Sequence, residues 1–159
     1  MMRPELEVII QAHPLFSGIE PRYISLMSEG AWETHFAADT YVFRTGESAT
    51  HFYLIRSGMV ALEIHAPSEG ALKIDTIEAG GVLGWSWLFS PYRWHFDARA
   101  VITTHAIALD GSFLRVQAQK DHHFGYELMK RFTQILIERL QATRLQLLDI
   151  YQPQREGLR

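Results

Sequence analysis

The chain has no cysteine, which excludes disulfides, thiolate nucleophiles, iron-sulfur ligation and cysteine-rich zinc sites together. Charge is sparse and nearly balanced: 21% of residues are charged, with 15 Lys and Arg against 18 Asp and Glu for a net charge of -3. Such a balance supplies no overall attraction for nucleic acid or an anionic membrane. Apolar runs approaching the roughly 18 residues of a bilayer span are absent. The opening Met1-Met2-Arg3-Pro4-Glu5 is too short and too acidic a lead for a signal peptide. A soluble, cytoplasmic protein with no membrane contact is the expectation. Catalytic signatures are missing too. No His-x-His pair occurs, and Gly84-Trp85-Ser86-Trp87-Leu88 fails the nucleophile elbow at its last position.

What is present is apolar. At 159 residues and 47% hydrophobic, the chain is read as a single domain, 1–159, around one core. Leu6, Ile9 and Ile10 fall at helical spacing after Pro4, which predicts a short helix over Pro4 to Ala12. His13-Pro14-Leu15-Phe16-Ser17-Gly18 is a turn-rich break, and Pro21 opens a second helix through Tyr23, Ile24 and Met27. Helices therefore occupy 1–30. Beyond them come short β-rich runs: Trp32 to Phe36, Thr40 to Arg44, His51 to Arg56, Met59 to His65, Leu72 to Ile77 and His105 to Leu109. The separators, such as Gly46-Glu47-Ser48, Ser57-Gly58 and Gly80-Gly81, are turn chemistry. Residues 31–110 are thus expected to form an antiparallel roll. Helical patterning returns over 111–151, in Phe113 to Lys120 and then from Phe124 to about Tyr151, and 152–159 are read as a tail. The class is mainly β with flanking helices.

The last helix carries two stripes. Leu128, Phe132 and Ile135 can face the sheet, whereas Met129, Leu136, Leu140, Thr143, Leu147 and Ile150 step by seven, four and three. Heptad steps of that kind make a helix-helix seam. A buried leucine contributes roughly 1.5 to 3 kcal/mol, so the seam calls for a partner, and a homodimer through this helix is expected. A single core-facing stripe is the plainer alternative. The basic residues Lys130, Arg131, Arg139 and Arg144 alternate with Glu127 and Glu138 and read as a solvated face.

Val42-Phe43-Arg44-Thr45-Gly46-Glu47, followed by Phe52-Tyr53-Leu54-Ile55-Arg56-Ser57-Gly58-Met59-Val60-Ala61-Leu62, resembles the front half of a cyclic-nucleotide-binding domain. The bacterial catabolite-activator and fumarate-nitrate regulators belong to that family, and the likeness runs from about His13 into the final helix. It implies a double-stranded β-helix, or jelly roll, with a ligand pocket inside and a long carboxy-terminal helix that covers the pocket and often dimerises. It also implies a phosphate-binding cassette over 80–100. There, backbone N–H groups and an arginine hold the cyclic phosphate while a glutamate takes the ribose hydroxyl.

Gly81 and Gly84 match that cassette. Trp85 stands where the glutamate should, and indole has no acceptor for a ribose hydroxyl. Trp94 stands where the arginine should, with Arg93 one residue early; in an extended segment that slip turns Arg93 to the other face, whereas in an irregular loop Arg93 could still serve. Asp97 would repel an incoming phosphate if it faced the pocket. Two readings stay open for the rings of Trp85, Trp87, Phe89, Tyr92, Trp94 and Phe96: filler for the cavity a nucleotide would take, or a pocket for a different planar or anionic ligand. The candidate ligand residues are Gly81, Gly84, Trp85, Ser86, Arg93, Trp94, His95 and Arg99. The bland readings are an exposed strand charge for Arg99 and a satisfied polar residue for His95.

The resulting expectation is a non-catalytic sensor or regulatory domain with a degenerate or altered pocket and no certain cofactor. A cyclic nucleotide, another small anionic or planar ligand and a protein partner all remain open. One alternative is a true cyclic-nucleotide-binding effector domain of a bacterial signalling or transcription-control system. Another is a cupin-like metal enzyme, against which His35, His51, His65 and His105 fall in separate segments without a matching carboxylate. Heme ligation by one histidine has no local motif. Family regulators add a helix-turn-helix after the long helix. Only Gln152 to Arg159 remain here, so direct DNA binding is not expected.

Overall fold

Two prolines set the first helices. The computed structural model describes residues 3–156, with side chains through residue 149. Helix α1 (Pro4–Ala12) and helix α2 (Pro21–Glu29) each carry proline at the first position, where the missing N–H has no intrahelical partner to lose. Leu6 and Ile10 of α1 and Tyr23, Ile24 and Met27 of α2 turn inward and are buried. A 3-10 turn, Pro14–Phe16, joins the two helices, and the His13 ring accepts the Leu15 N–H.

Among the described residues eight strands follow: β1 (Ala31–Phe36), β2 (Tyr41–Phe43), β3 (His51–Ser57), β4 (Met59–Ala66), β5 (Gly70–Glu78), β6 (Val82–Leu83), β7 (Asp97–Ala100) and β8 (Thr104–Asp110). They pair antiparallel into two four-stranded sheets, one ordered β1-β8-β3-β6 and the other β2-β7-β4-β5. Six of the strands match runs legible in the sequence. β6 and β7 do not; they lie inside the cassette, where the sequence offers only two apolar residues and then an alanine-rich segment. At Gly58 the β3–β4 turn requires φ +105°, and a Cβ would lie 2.4 Å from the Thr104 hydroxyl, so only glycine fits both the backbone and the space.

Helix α3 (Gly111–Lys120) is capped by Asp110, which accepts the Phe113 N–H at 3.0 Å. Helix α4 (His122–Glu156) begins where Asp121 accepts the N–H groups of His123 and Phe124. Side chains Phe124, Leu128 and Phe132 of α4 are fully buried, with Phe132 set edge-on to Phe52 and Trp87. Past Ile135 the helix leaves the core. Leu140 is 60% exposed and Leu147 50%, and Met129, Ile137, Leu145 and Leu148 are also exposed.

The helix does not present a uniformly solvated charged face. Arg131 pairs with Glu127 and donates to the Ser17 carbonyl, while Arg139 pairs with Asp75 of β5. Gln146 donates to the Ile74 carbonyl at 3.1 Å. The exposed half of α4 is therefore tethered along the β5 edge by groups whose partners lie more than 60 residues away, beyond the reach of a local reading.

Candidate functional site

The cassette runs from β6 through a 3-10 turn, Ser86–Leu88, and an irregular loop into β7. Gly84 adopts φ +98°, and a Cβ there would meet the Trp94 ring at 2.7 Å. Backbone and ring thus close on each other at this point. The turn leaves the Ser86 and Trp87 N–H groups without intrahelical acceptors, as any helix start does. The loop holds a cis peptide at Ser90-Pro91 and a left-handed residue at Tyr92, whose ring lies 4.2 Å beneath the Arg115 guanidinium.

The exit of the loop is stitched to the segment before β3. Tyr92 accepts the Ala49 N–H at 2.8 Å, Trp94 donates its N–H to Glu47 at 3.1 Å, and the Trp94 carbonyl accepts the Gly46 N–H at 2.9 Å. Extended backbone alternates its side chains, so Trp94 and Phe96 turn inward and Arg93 and His95 turn out to solvent. Arg93 donates to the Gly46 carbonyl at 2.9 Å.

Each tryptophan has a definite seat. Trp94 lies flat on Phe43, centroids 3.7 Å apart and planes 7° from parallel. Trp87, fully buried, stacks on Phe52 at 4.9 Å. Trp85 is half-buried and meets Phe96 at 5.0 Å. The Ser86 hydroxyl and the Trp87 indole N–H are buried without a hydrogen-bond partner among the described residues.

The cations around the cassette are committed. Arg99 is not an exposed strand charge: it bonds the buried Glu63 carboxylate at 3.1 Å and Asp39 at 3.0 Å, which raises its already high pKa, chiefly through Glu63. Arg44 lies over the Tyr41 ring at 3.9 Å and 3.5 Å from Asp97. Asp97 is buried and accepts the Thr45 N–H at 2.7 Å. Burial alone would push its carboxyl up, but Thr45 and Arg44 together outweigh that and hold it below the ordinary value.

The structure separates the eight candidate ligand residues. Gly84, Trp85, Ser86 and Trp94 cluster at the 3-10 turn, whereas Arg93 and His95 are on the surface, Arg99 is locked in its ion pairs, and Gly81 stays in the β5–β6 turn. Of the seam, Met129, Leu140, Thr143 and Leu147 are exposed and Leu136 is half-buried; the Ile150 side chain lies outside the described residues. Phe43, Glu63, Asp75 and Arg139 were not singled out by the sequence reading as parts of this region. Glu63 did carry a signal, a lone carboxylate after the apolar run Val60-Ala61-Leu62, which implies a partner when buried.

Histidines 35 and 105, distant in sequence, are cross-strand partners with ring centroids 5.8 Å apart. Among the described residues no group of three or more His, Asp or Glu is placed to hold a metal. No helix among them is long and apolar enough to cross a membrane.

Known proteins share this architecture. A cyclic nucleotide-binding domain from Methylobacillus flagellatus superposes with a TM-score of 0.75 at 18% identity, covering 92% of this chain and 82% of that one. The sensor domain of the transcriptional regulator DNR from Pseudomonas aeruginosa gives 0.68 at 20% identity, covering 85% and 91%. In sequence, a CRP-like cAMP-activated global transcriptional regulator from Mycobacterium tuberculosis is 23% identical over 145 residues, 91% of this chain and 63% of that protein. The chain thus spans less than two thirds of that relative's length. The family model for the cyclic nucleotide-binding domain matches residues 33–121, more than half of the chain. The jelly-roll fold and the sequence model agree, and the chain belongs to the cyclic nucleotide-binding domain family.

Proposed function

We propose that this domain is a non-catalytic, cytoplasmic sensor or regulatory module in which indole rings have replaced the ionic grip on a cyclic phosphate, and that it works as a homodimer through α4. The observation that carries this is Trp94. At the position where the family resemblance calls for an arginine, its ring is pressed between Phe43 and the backbone of Gly84. Arg44, Arg99 and Arg139 are paired with carboxylates, Arg93 is turned out to solvent on the Gly46 carbonyl, and Trp85 offers a ribose hydroxyl no acceptor. A cyclic nucleotide would have to desolvate its phosphate without a matching cation, a cost of several kcal/mol for an unpaired charge. The reading includes no contact of the domain's own with nucleic acid or membrane.

A second reading is a true cyclic-nucleotide effector. It is favoured by the retained backbone of the cassette, with Gly84 at positive φ and a 3-10 turn behind it, and by the name of the mycobacterial relative as a cAMP-activated regulator. Equilibrium dialysis against labelled cAMP and cGMP separates the two. The altered-pocket reading expects no saturable uptake at micromolar nucleotide. Stoichiometric uptake of either, weakened by Arg93→Ala, would establish the second reading instead.

A further inference from the structure

A cavity of about 170 Å³ lies between α4 and the β2-β7-β4-β5 sheet, walled by Leu62, Ile74, Trp85, Phe96, Leu140 and Ala142. Besides the donor-only indole N–H of Trp85, three polar side chains reach it, and each already has a partner within the protein. Asp75 takes Arg139 and the Thr76 N–H, and Arg139 is held by that same pair. The Thr143 hydroxyl donates to the Arg139 carbonyl at 2.9 Å. A charged ligand entering here would lose its hydration and find no unpaired counter-charge, whereas an apolar one would lose nothing.

Size then narrows the choice. An engineered cavity of about 150 Å³ lined by Leu, Ile and Phe stays dry and binds benzene, so the present one has room for one aromatic ring or two fused rings. A purine carrying ribose and a cyclic phosphate is far larger. Trp85 and Phe96 meet at 5.0 Å with planes 52° apart, an arrangement to which a third ring adds edge-to-face or offset contact.

We infer that the cavity under α4 takes a small uncharged aromatic molecule of the phenol or indole class, seated against Trp85 and Phe96. The inference rests on the reading above that the cassette does not grip a cyclic phosphate. It also gives the occupant an outlet: Leu140 lines the cavity and is 60% exposed on the ridge of α4. A ring that repositions Leu140 alters the surface offered to a partner helix, and its differential affinity for the two arrangements sets the size of the response.

The test is fluorine NMR on protein labelled with 5-fluorotryptophan, the Trp85 line being assigned with Trp85→Phe. Phenol and indole are the probes, benzoate the charged control, and cAMP a fourth arm. A saturable shift of the Trp85 line with phenol or indole is expected, at least about tenfold tighter than with benzoate. Ala142→Leu and Ala142→Met, which each add three heavy atoms to the cavity from a helix position, should weaken the probes by at least about tenfold, the effect of a single methylene in a pocket, with the melting temperature unchanged or raised. No saturable shift, equal affinity for benzoate, or indifference to both Ala142 variants would overturn the inference. If phenol and indole fail and cAMP is silent, the altered-pocket reading survives alone. A tight cAMP-induced shift would overturn that reading itself.

Discussion

A guanidinium at position 94 would bond a phosphate or reach water, but the indole found there does neither and lies on Phe43. Removing that ring opens a cavity beside Phe43 and Gly84. Trp94→Ala is therefore expected to cost about 3 to 5 kcal/mol in urea unfolding, in the range of large aromatic truncations. A loss below about 1 kcal/mol would show that the ring is not a packing element. Asp97 gives a prediction with a pH signature. Its folded carboxyl is held below the ordinary 3.8, so its contribution is complete above that value and disappears as pH falls through the lowered folded value. Asp97→Asn should lose about 1 to 3 kcal/mol near neutral pH by weakening the bonds to Thr45 and Arg44. The gap between variant and parent should close in acid below 3.8; a gap constant across the acid range would mean that charge plays no part.

At the scale of elements, α4 divides into a buried half and a tethered half. The buried half is anchored by Phe124, Leu128 and Phe132, and the second half is held to β5 by Arg139 with Asp75 and by Gln146 with Ile74. The ion pair is about one quarter exposed on each side, so a double-mutant cycle with Arg139→Gln and Asp75→Asn should give only about 0.2 to 1 kcal/mol. Its effect should be local: amide exchange should quicken in β5 and after Ile135 in α4, and not in β3 or β8. Faster exchange everywhere would assign the pair to global stability instead.

The helices were legible in the sequence because proline at the first position and apolar spacing act locally. β7 was not, because Asp97-Ala98-Arg99-Ala100 is poor strand sequence and is a strand only through pairing with β4 and β2. The loss of the two diagnostic cassette side chains could be read directly from residue types. Opposite faces for Arg93 and Trp94 follow from extended spacing, but that the Trp94 face is the inward one is set by backbone bonds to Gly46, Glu47 and Ala49, a pairing that no local pattern announces.

For the whole molecule, Met129, Leu140 and Leu147 form an exposed apolar ridge on α4 that has no partner among the described residues. Light scattering after gel filtration should report a dimer for the parent chain and a monomer for the Leu140→Glu, Leu147→Glu double variant, both with the same far-ultraviolet circular dichroism. A parent chain that stays monomeric as concentration rises would remove the helix-helix partner. Whether the cassette declines a cyclic phosphate is tested most directly by thermal unfolding with cAMP. A ligand present at about 100 times its dissociation constant that binds only the native state adds about 2.7 kcal/mol. With Trp94 in the arginine's place, the melting temperature in millimolar cAMP should equal that in buffer alone. An upward shift of several degrees that saturates with cAMP and vanishes in Arg93→Ala would contradict it.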